Sequence, residues 1–571
     1  MSKSPVPPTT RARNITVDLL VVGCGTGMAA ALAADELGLS TLIVEKSEFV
    51  GGSTALSGGA FWIPGSSIFP AESRSDDLRR ARTYLRNVVR DTAPPERAAA
   101  YLDNGPRAVD MLMRRTPLKF AWTKGYSDYH ANVDGGTEAG RTCESRPFDL
   151  SVLGTERARL RGGIMEASVP MPITSADFKW MNLMAKKPLK ALPRIIRRMT
   201  QGLGGKAIGR EYAAGGQAIA GGLFAGVLAA GIPIWTETPL VRLLSETDDE
   251  TGTSRVVGAV VSQHGEEYEI STRRGVVLTA GGFEHDMETR RKYQSEQLLD
   301  HASFGAESNT GDAIRIGQEV GAAVGSMDEA WWFPAFAAPP GGRPLVMLAE
   351  RALPGSIIID QRGKRFVNEA IDYMSYGQLI LDREQTDDEI TDAWLVFDQQ
   401  YRNSYMLAGF LFPRQPLPTE WIESEMAVKA HSVAELADSI GVPVAAFDDT
   451  LNRFNAGAAI GVDSDFGRGD SPYDRYYGDP TIKPNPNLRA LDTETLYAVR
   501  IVLSDLGTCG GLIADERARV ISESGSPIPG LYAAGNCAAN AFGHVYPGAG
   551  ATIGQGIVYG YIAANEAAST S

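Results

Sequence analysis

Residues 17 to 59, VDLLVVGCGTGMAAALAADELGLSTLIVEKSEFVGGSTALSGG, leave room for few folds: an apolar strand run, a glycine turn, an Ala-rich helix and a second strand ending in a carboxylate succeed one another without interruption. Val17 to Val22 predicts a strand, Gly23, Cys24 and Gly25 a tight turn, and Thr26 onward a helix whose N-terminal amides can face pyrophosphate oxygens. Glu45 closes the second strand, Leu42 to Val44, about twenty positions after Gly23, where a carboxylate accepts hydrogen bonds from ribose hydroxyls. The third glycine of the usual fingerprint would stand at position 28, where this chain has Met28 beside Gly27. The order of strand, turn, helix, strand and acid predicts a dinucleotide-binding unit all the same.

The residues after Glu45 separate flavin from nicotinamide. Gly51, Gly52, Ser53 and Thr54, then Ser57, Gly58 and Gly59, make a second run of small residues and hydroxyls. Such a run lets backbone amides approach a second phosphate and an isoalloxazine ring closely, so the expected cofactor is FAD. Residues 238–242, 255–263, 266–272 and 274–282 read as four short strands of a meander returning to the nucleotide fold, with Thr279, Ala280, Gly281 and Gly282 ending the last beside the cofactor. Flavoproteins with this opening motif draw an adenine-side backbone contact from such a strand, and Val241 is the candidate. Asn309 is expected to cap a helix carrying Asp312 in its first turn.

The formal charge of −14 argues against nucleic acid as a partner, since phosphate binding needs a basic face. Cys24, Cys143, Cys509 and Cys537 show no C-x-x-C spacing, which points to a reduced, cytoplasmic setting. No metal-ligand spacing occurs, so no metal is expected. The N-terminal MSKSPVPPTTRARN lacks an apolar core and reads as a tail rather than a signal. Residues 212–235 carry no charge over a span-like length, but their Gly and Ala content and the PIW ending predict a buried helix followed by a strand. Residues 178–210 contain no acid, while Lys186, Lys187, Lys190, Arg194, Arg197 and Arg198 interleave with Leu189, Leu192, Ile195, Ile196 and Met199. Two readings stay open there: a surface lying on anionic lipid at the inner face of the membrane, or a solvated helix whose apolar side packs on the protein.

From Ala330 the chain turns aromatic and Pro-rich, and nucleotide-fold character resumes at residues 507–515 and 530–536. The expected class is α/β: a discontinuous Rossmann-like FAD-binding domain, 1–329 and 508–571, with an inserted α+β catalytic domain, 330–507. The run Trp331, Trp332, Phe333 and Phe336 either walls a substrate slot or packs between domains.

The chain resembles the 3-ketosteroid Δ1-dehydrogenases, within a larger group that includes soluble fumarate reductases and succinate dehydrogenase flavoproteins. The resemblance runs from Asp18 to about Ala563 and rests on GYSDY at 125–129, TGDA at 310–313, RFVNEAIDY at 365–373, SPYDRYYGDP at 471–480, LSDLGTCGG at 503–511 and HVYPGAGATIGQG at 544–556. It implies FAD-dependent desaturation of a ketosteroid such as 4-androstene-3,17-dione. That chemistry needs a hydride acceptor, a base for the proton alpha to the carbonyl, and stabilisation of the enolate oxygen. Flavin N5 is the first. Tyr546, donating its phenol, and Gly550, offering an unobstructed amide four residues on, suit an oxyanion hole. The resemblance assigns proton abstraction to Tyr373 and gives Tyr129 the place of its helper, because a phenol with pKa about 10 is a poor base alone. Tyr376 and Tyr126, three residues from each, compete for those roles, and His544 either lines the site or is structural. The cofactor-binding candidates are Gly23, Gly25, Thr26, Gly27, Met28, Glu45, Lys46, Gly51, Gly52, Ser53, Ser57, Gly58, Gly59, Val241, Ala280, Gly281, Asn309, Asp312, Gly535, Asn536, Gly550, Ala551 and Ile553.

Three alternatives stand beside this reading. A fumarate-reductase-like enzyme would need arginines for a dianion, whereas this chain has Tyr546-Pro547-Gly548-Ala549-Gly550 where those sequences carry a cation. A ketosteroid dehydrogenase acting at C4–C5 would use the same fold with another base. A flavin-binding electron carrier would leave Tyr373 and Tyr546 unexplained. A quinone is the expected electron acceptor if residues 178–210 touch membrane, and the lack of a second dinucleotide fingerprint makes NAD an unexpected one.

Overall fold

A computed structural model describes residues 13–163, 171–247 and 254–570. The N-terminal tail read from the sequence lies outside the described residues up to position 12. Strand β1 (Arg13–Val22) runs into the glycine turn, helix α1 (Gly27–Glu36) and strand β2 (Thr41–Val44). The turn depends on Gly23: its φ is +104°, and a Cβ there would lie 2.4 Å from the Thr279 carbonyl oxygen. Short strand β3 (Ala60–Trp62) comes next, then helices α2 (Ser175–Asn182), α3 (Pro188–Ala207) and α4 (Gly215–Ala229) and strand β4 (Ile234–Trp235). The uncharged stretch at 212–235 is thus a helix followed by a strand, and among the described residues no helix is long and apolar enough to cross a membrane.

Strands β5 (Leu240–Thr247), β6 (Ser254–Gln263) and β7 (Glu266–Leu278) form an antiparallel meander. The two strands expected at 266–272 and 274–282 are one. One edge of β7 changes partner along its length, antiparallel with β6 early and parallel with β15 late, while its other edge stays parallel with β1. Helix α5 (Asp312–Glu319) is capped by Gly311, not by Asn309. The Asn309 side chain is turned away, donating to Ser53 Oγ at 2.9 Å and Glu284 Oε1 at 2.6 Å.

Strands β8 (Ala330–Phe336), β9 (Leu345–Val346) and β10 (Ser356–Asp360), helix α6 (Tyr373–Leu381), and strands β11 (Ala393–Asp398), β12 (Ala427–Ala430) and β13 (Leu496–Thr508) come after it. The chain closes with β14 (Arg519–Ile521), β15 (Pro527–Ala533) and helix α7 (Ala551–Ser569).

Two sheets organise these elements. The first has eight strands in the order β14-β15-β7-β1-β2-β4, with β6 and β5 continuing from β7. Its central strands β15, β7, β1, β2 and β4 are parallel, and ligands of such sheets sit beyond the carboxyl ends, where Gly23 and Glu45 emerge. The second has six antiparallel strands in the order β9-β8-β13-β11-β10, with β12 also on β13, all drawn from residues 330–508. Helix α7 returns to pack on α1 through small residues; a Cβ at Gly556 would come within 2.3 Å of Thr26 Oγ1. That contact carries the N-terminus of α7, with Gly550, to the edge of the nucleotide turn.

Candidate active site

A single cavity of about 1090 Å³ begins at the glycine turn and ends among tyrosines from four distant segments, Tyr126 and Tyr129, Tyr373, Tyr477 and Tyr546. Its size exceeds the roughly 300–1,000 Å³ usual for one small ligand. At one end lie Gly23, Gly25, Thr26, Glu45, Lys46, Gly52, Ser53, Ser57, Gly58 and Gly59; Ala280, Gly281, Asn309, Asp312, Gly535, Asn536 and Ile553 continue the wall. At the other end lie Tyr129, Tyr373, Tyr546 and Gly550.

The first end fits FAD by its chemistry. Glu45 is buried, and its two oxygens accept from the Cys24 and Ser47 amides, each at 2.9 Å. A carboxylate has about four acceptor sites, so capacity remains for ribose hydroxyls. A Cβ at Gly58 would meet nothing within 4 Å, so bare backbone faces open space there. Lys46 Nζ is held by Asp312 at 2.6 Å and Thr310 at 2.7 Å, joining the end of β2 to the start of α5. Behind Asn309, burial and the nearby Asp505 charge push the Glu284 carboxyl up to about 7.

Five expected cofactor residues do not reach the cavity wall. Gly27 packs under Thr279 and Val21, and Met28 is fully buried in the core. Gly51 faces Ala55 and Ala220, and the Ala551 amide is spent on Gly548. Val241 points outward at 36% exposure, and Thr238 and Leu240 line that stretch instead. Beside four of them a neighbour lines the cavity, Thr26 beside Gly27, Gly52 beside Gly51, Leu240 beside Val241, and Gly550 and Thr552 beside Ala551, whereas neither neighbour of Met28 does.

The tyrosine end is built by stitching. The Tyr129 amide donates to Pro547 O at 3.2 Å, and Tyr84 donates to the same oxygen at 2.7 Å. Asp128, next in chain, is held by Trp62 Nε1 at 2.8 Å and by an Arg141 ion pair. Tyr373 opens α6, whose Asp372 cap accepts from the Ser375 amide at 3.0 Å. Gln378, farther along α6, donates to His544 O at 2.9 Å and Glu329 Oε1 at 2.8 Å, fixing the helix to the segment that carries Tyr546.

Tyr129 donates its phenol to Tyr373 Oη at 2.8 Å. Both rings lie against Tyr546, with centroids 5.4 and 5.3 Å away. Tyr477, which no sequence pattern singles out, donates to Tyr126 at 2.6 Å, and Tyr126 is stacked on Tyr476 at 4.4 Å. The SPYDRYYGDP stretch was the signal, since it delivers three phenols in five residues. Of the competing tyrosines, Tyr376 is buried against Phe366 away from the cavity, whereas Tyr126 lines it. Phe333 also lines the cavity and packs on Tyr373 at 5.2 Å, and Trp331 meets Tyr546 edge-on at 4.7 Å. Strand alternation turns Trp332 and Phe336 to the other face, where Trp332 donates to Glu329 and Phe336 joins the second core. His544 stands off the wall, 3.5 Å from Glu329.

Burial pushes the Tyr373 and Tyr129 phenols far above their ordinary value and Tyr546 up to about 12; the Tyr129 hydrogen bond pulls Tyr373 down only in part. Gly550, at φ +83°, begins α7, and a Cβ there would lie 2.0 Å from Ala60 O of β3. Among the described residues its N–H meets no backbone carbonyl; it turns toward the Tyr546 phenol at the cavity wall, from a helix N-terminus. The cavity's described cations are Lys46, paired with Asp312, and Arg157, paired with Glu211 at 2.7 Å. Among the described residues no free guanidinium awaits a dianion there.

The FAD binding domain family matches residues 18–553. The chain is 41% identical over 569 residues to the 3-oxosteroid 1-dehydrogenase of Mycolicibacterium smegmatis, covering 97% of each. It is 33% identical to the 4-oxocyclohex-2-ene-1-carboxylate 5-dehydrogenase of Sinomonas cyclohexanicum, covering 97% of this chain and 94% of that one. The crystal structure of 3-ketosteroid delta1-dehydrogenase from Sterolibacterium denitrificans, in complex with 1,4-androstadiene-3,17-dione, matches with TM-score 0.91 and 35% identity, over 97% of this chain and 100% of that one.

Proposed function

The chain belongs to the 3-oxosteroid 1-dehydrogenase family of FAD-binding proteins, and from that premise we infer how its tyrosine cavity handles a ring ketone. It is a flavin-dependent oxidoreductase that desaturates 3-ketosteroids between C1 and C2, with FAD as cofactor. Bound FAD supplies the hydride acceptor, N5, for the hydrogen leaving C1.

The residues supply the rest. Tyr546 Oη and the Gly550 amide donate to the C3 ketone oxygen and hold the negative charge that grows there as C2 loses its proton. Tyr373 takes that proton. To take it, Tyr373 must first have lost its own proton to solvent. Burial disfavours that ion, the phenol that Tyr129 donates to Tyr373 Oη at 2.8 Å offsets part of the cost, and Tyr373 is neutral again once the C2 proton arrives. The apolar wall around Phe333 suits an uncharged steroid, and the paired state of Lys46 and Arg157 disfavours a fumarate-like dianion. One observation carries the assignment: a donor pair, Tyr546 and Gly550, and a linked phenol pair, Tyr129 and Tyr373, share one buried chamber. In the same reading residues 330–507 are the catalytic domain, a quinone reoxidises the flavin, and residues 178–210 touch membrane.

The test is anaerobic mixing of the FAD-loaded protein with 4-androstene-3,17-dione. The flavin should bleach, and 1,4-androstadiene-3,17-dione should form. Bleaching with a C4–C5 oxidised product would move the reaction to the other side of the ring, and no bleaching would remove it.

A further inference from the structure

Tyr84 touches neither the cavity wall nor a reacting group, yet its phenol stands where two segments of the chamber meet. It is wholly buried on the helix Arg74–Val89. It donates to Pro547 O at 2.7 Å and accepts from the His130 amide at 3.2 Å, while the Tyr129 amide donates to the same Pro547 oxygen at 3.2 Å. A carbonyl oxygen has two lone pairs, and both are used here. Pro547 lies in the chain between Tyr546 and Gly550, and His130 follows Tyr129. One hydroxyl therefore ties the segment of the donor pair to the segment of Tyr129. Burial, with the Asp128 charge second, pushes the Tyr84 phenol far above its ordinary value, so it keeps the proton that it donates.

The same helix face grips the loop a second time. Asp77, two turns before Tyr84 and so on the same side, pairs with Arg141 at 2.7 Å. Arg141 pairs in turn with Asp128, the residue before Tyr129, donates to Gly135 O at 2.9 Å, and lies 5.7 Å from the centre of the Tyr84 ring. Gly135 has φ +86°, and a Cβ there would come within 2.5 Å of the Tyr84 nitrogen, so the loop rests directly on the helix. Tyr373 is held separately, by α6 and its Gln378 bonds. The Tyr129–Tyr373 hydrogen bond thus has independent supports on its two sides, and Tyr84 belongs to one of them.

We propose that Tyr84 is a positioning residue of the reaction: by locking the Tyr129 loop to Pro547, it sets where Tyr129 stands against Tyr373 and Tyr546. Displacing a catalytic group by about 1 Å costs up to about 100-fold in rate, so a support of this kind matters without touching substrate. The proposal rests on the steroid reading above for its effect on rate. Its effect on position stands on the geometry alone.

Tyr84→Phe in the FAD-loaded enzyme removes the hydroxyl and keeps the ring. Turnover per bound flavin should fall about fivefold, with KM for 4-androstene-3,17-dione within about twofold of wild type, because the apolar wall is untouched. Added to Tyr129→Phe, the same change should cost less than about twofold, since the residue that it positions has already lost its phenol. Tyr401→Phe deletes another buried phenol-to-carbonyl bond, 2.9 Å to Glu350 O in the second core. It should lower Tm about as much as Tyr84→Phe does and leave turnover at the wild-type level. A crystal structure of Tyr84→Phe should show Tyr129 Oη drawn beyond about 3.5 Å from Tyr373 Oη. If Tyr84→Phe fails to fold with flavin, Asp77→Asn, which loosens the same loop through Arg141, replaces it with the same expected outcomes. Wild-type turnover of Tyr84→Phe, full multiplication of the two costs in the double variant, or an unmoved Tyr129 in the crystal overturns the proposal. Absence of steroid turnover in the wild type would count against the steroid reading and leave the crystallographic test standing.

Discussion

The two ends of the cavity are made by opposite means. The nucleotide end is backbone: glycine turns, amides and one carboxylate, most of it between residues 23 and 59. The tyrosine end, the proposed steroid site, is side chain, and its key hydrogen bond joins residues 244 positions apart. A backbone cradle tolerates loss of one contact because many weak donors share the load. A four-group chamber does not, since each donor or acceptor acts on one reacting atom. Among the described residues Tyr129, Tyr373 and Tyr546 have only other phenols and backbone amides as polar partners, so the chamber's chemistry rests on hydrogen-bond geometry rather than on fixed charge.

The sharpest way to break this contrast is at Tyr546 and Gly550, the proposed oxyanion pair. Tyr546→Phe should lower turnover by about 100-fold or more while the flavin-to-protein absorbance ratio stays unchanged. Tyr373→Phe should do the same, and a primary isotope effect at C2 should grow as proton removal becomes limiting. Tyr129→Phe should cost less, about tenfold, with the high-pH limb of the rate profile displaced because the linked phenol is gone. At the other end, Glu45→Gln should weaken FAD binding about tenfold in equilibrium dialysis, one or two hydrogen bonds' worth, with turnover at saturating FAD close to wild type.

A smaller effect concerns pH. The Glu284 carboxyl rises to about 7 in the fold, so the folded state keeps a proton that the unfolded state sheds above about 4.5. Its stabilising share is full below pH 4.5 and is lost as pH climbs toward 7. Glu284→Gln should therefore flatten the fall of Tm between about pH 5 and about 7.5, measured by scanning calorimetry. A slope equal to wild type would show that Glu284 is ionised throughout. Smallest of all, Tyr376→Phe should leave rate and Tm nearly unchanged, because its buried hydroxyl has no partner among the described residues.

The contrast also explains what could be read from sequence. The nucleotide unit was legible because its spacing is local: strand, turn and acid succeed one another, and Gly23, Gly25 and Glu45 fall on the cavity wall. A motif marks the backbone path, but Gly27, Met28, Gly51 and Ala551 turn inward by helical or turn geometry, and Val241 turns outward by strand alternation. The steroid end was legible only through family resemblance, since no periodicity links Tyr129, Tyr373 and Tyr546. Tyr477 escaped because nothing in its neighbours separates it from Tyr476. The split at 266–272 and 274–282 and the Asn309 cap misled for another reason: a strand whose partner changes from β6 to β15 along its length reads as two, and an Asn turned toward Ser53 looks like a cap. In α3 the apolar residues Leu189, Leu192 and Ile196 are exposed while Ala191, Arg198, Gly202 and Gly205 are buried, a placement that could not be chosen from sequence because a helical wheel shows a stripe without saying which side meets protein.

The division of labour in the chamber is tested most directly by a crystal structure of the FAD-loaded protein with 1,4-androstadiene-3,17-dione. The ketone oxygen should lie within about 3 Å of both Tyr546 Oη and the Gly550 nitrogen, with C2 facing Tyr373. A ketone oxygen bound to Tyr373 or Tyr129, or a ring A placed outside the tyrosine chamber, would contradict the account.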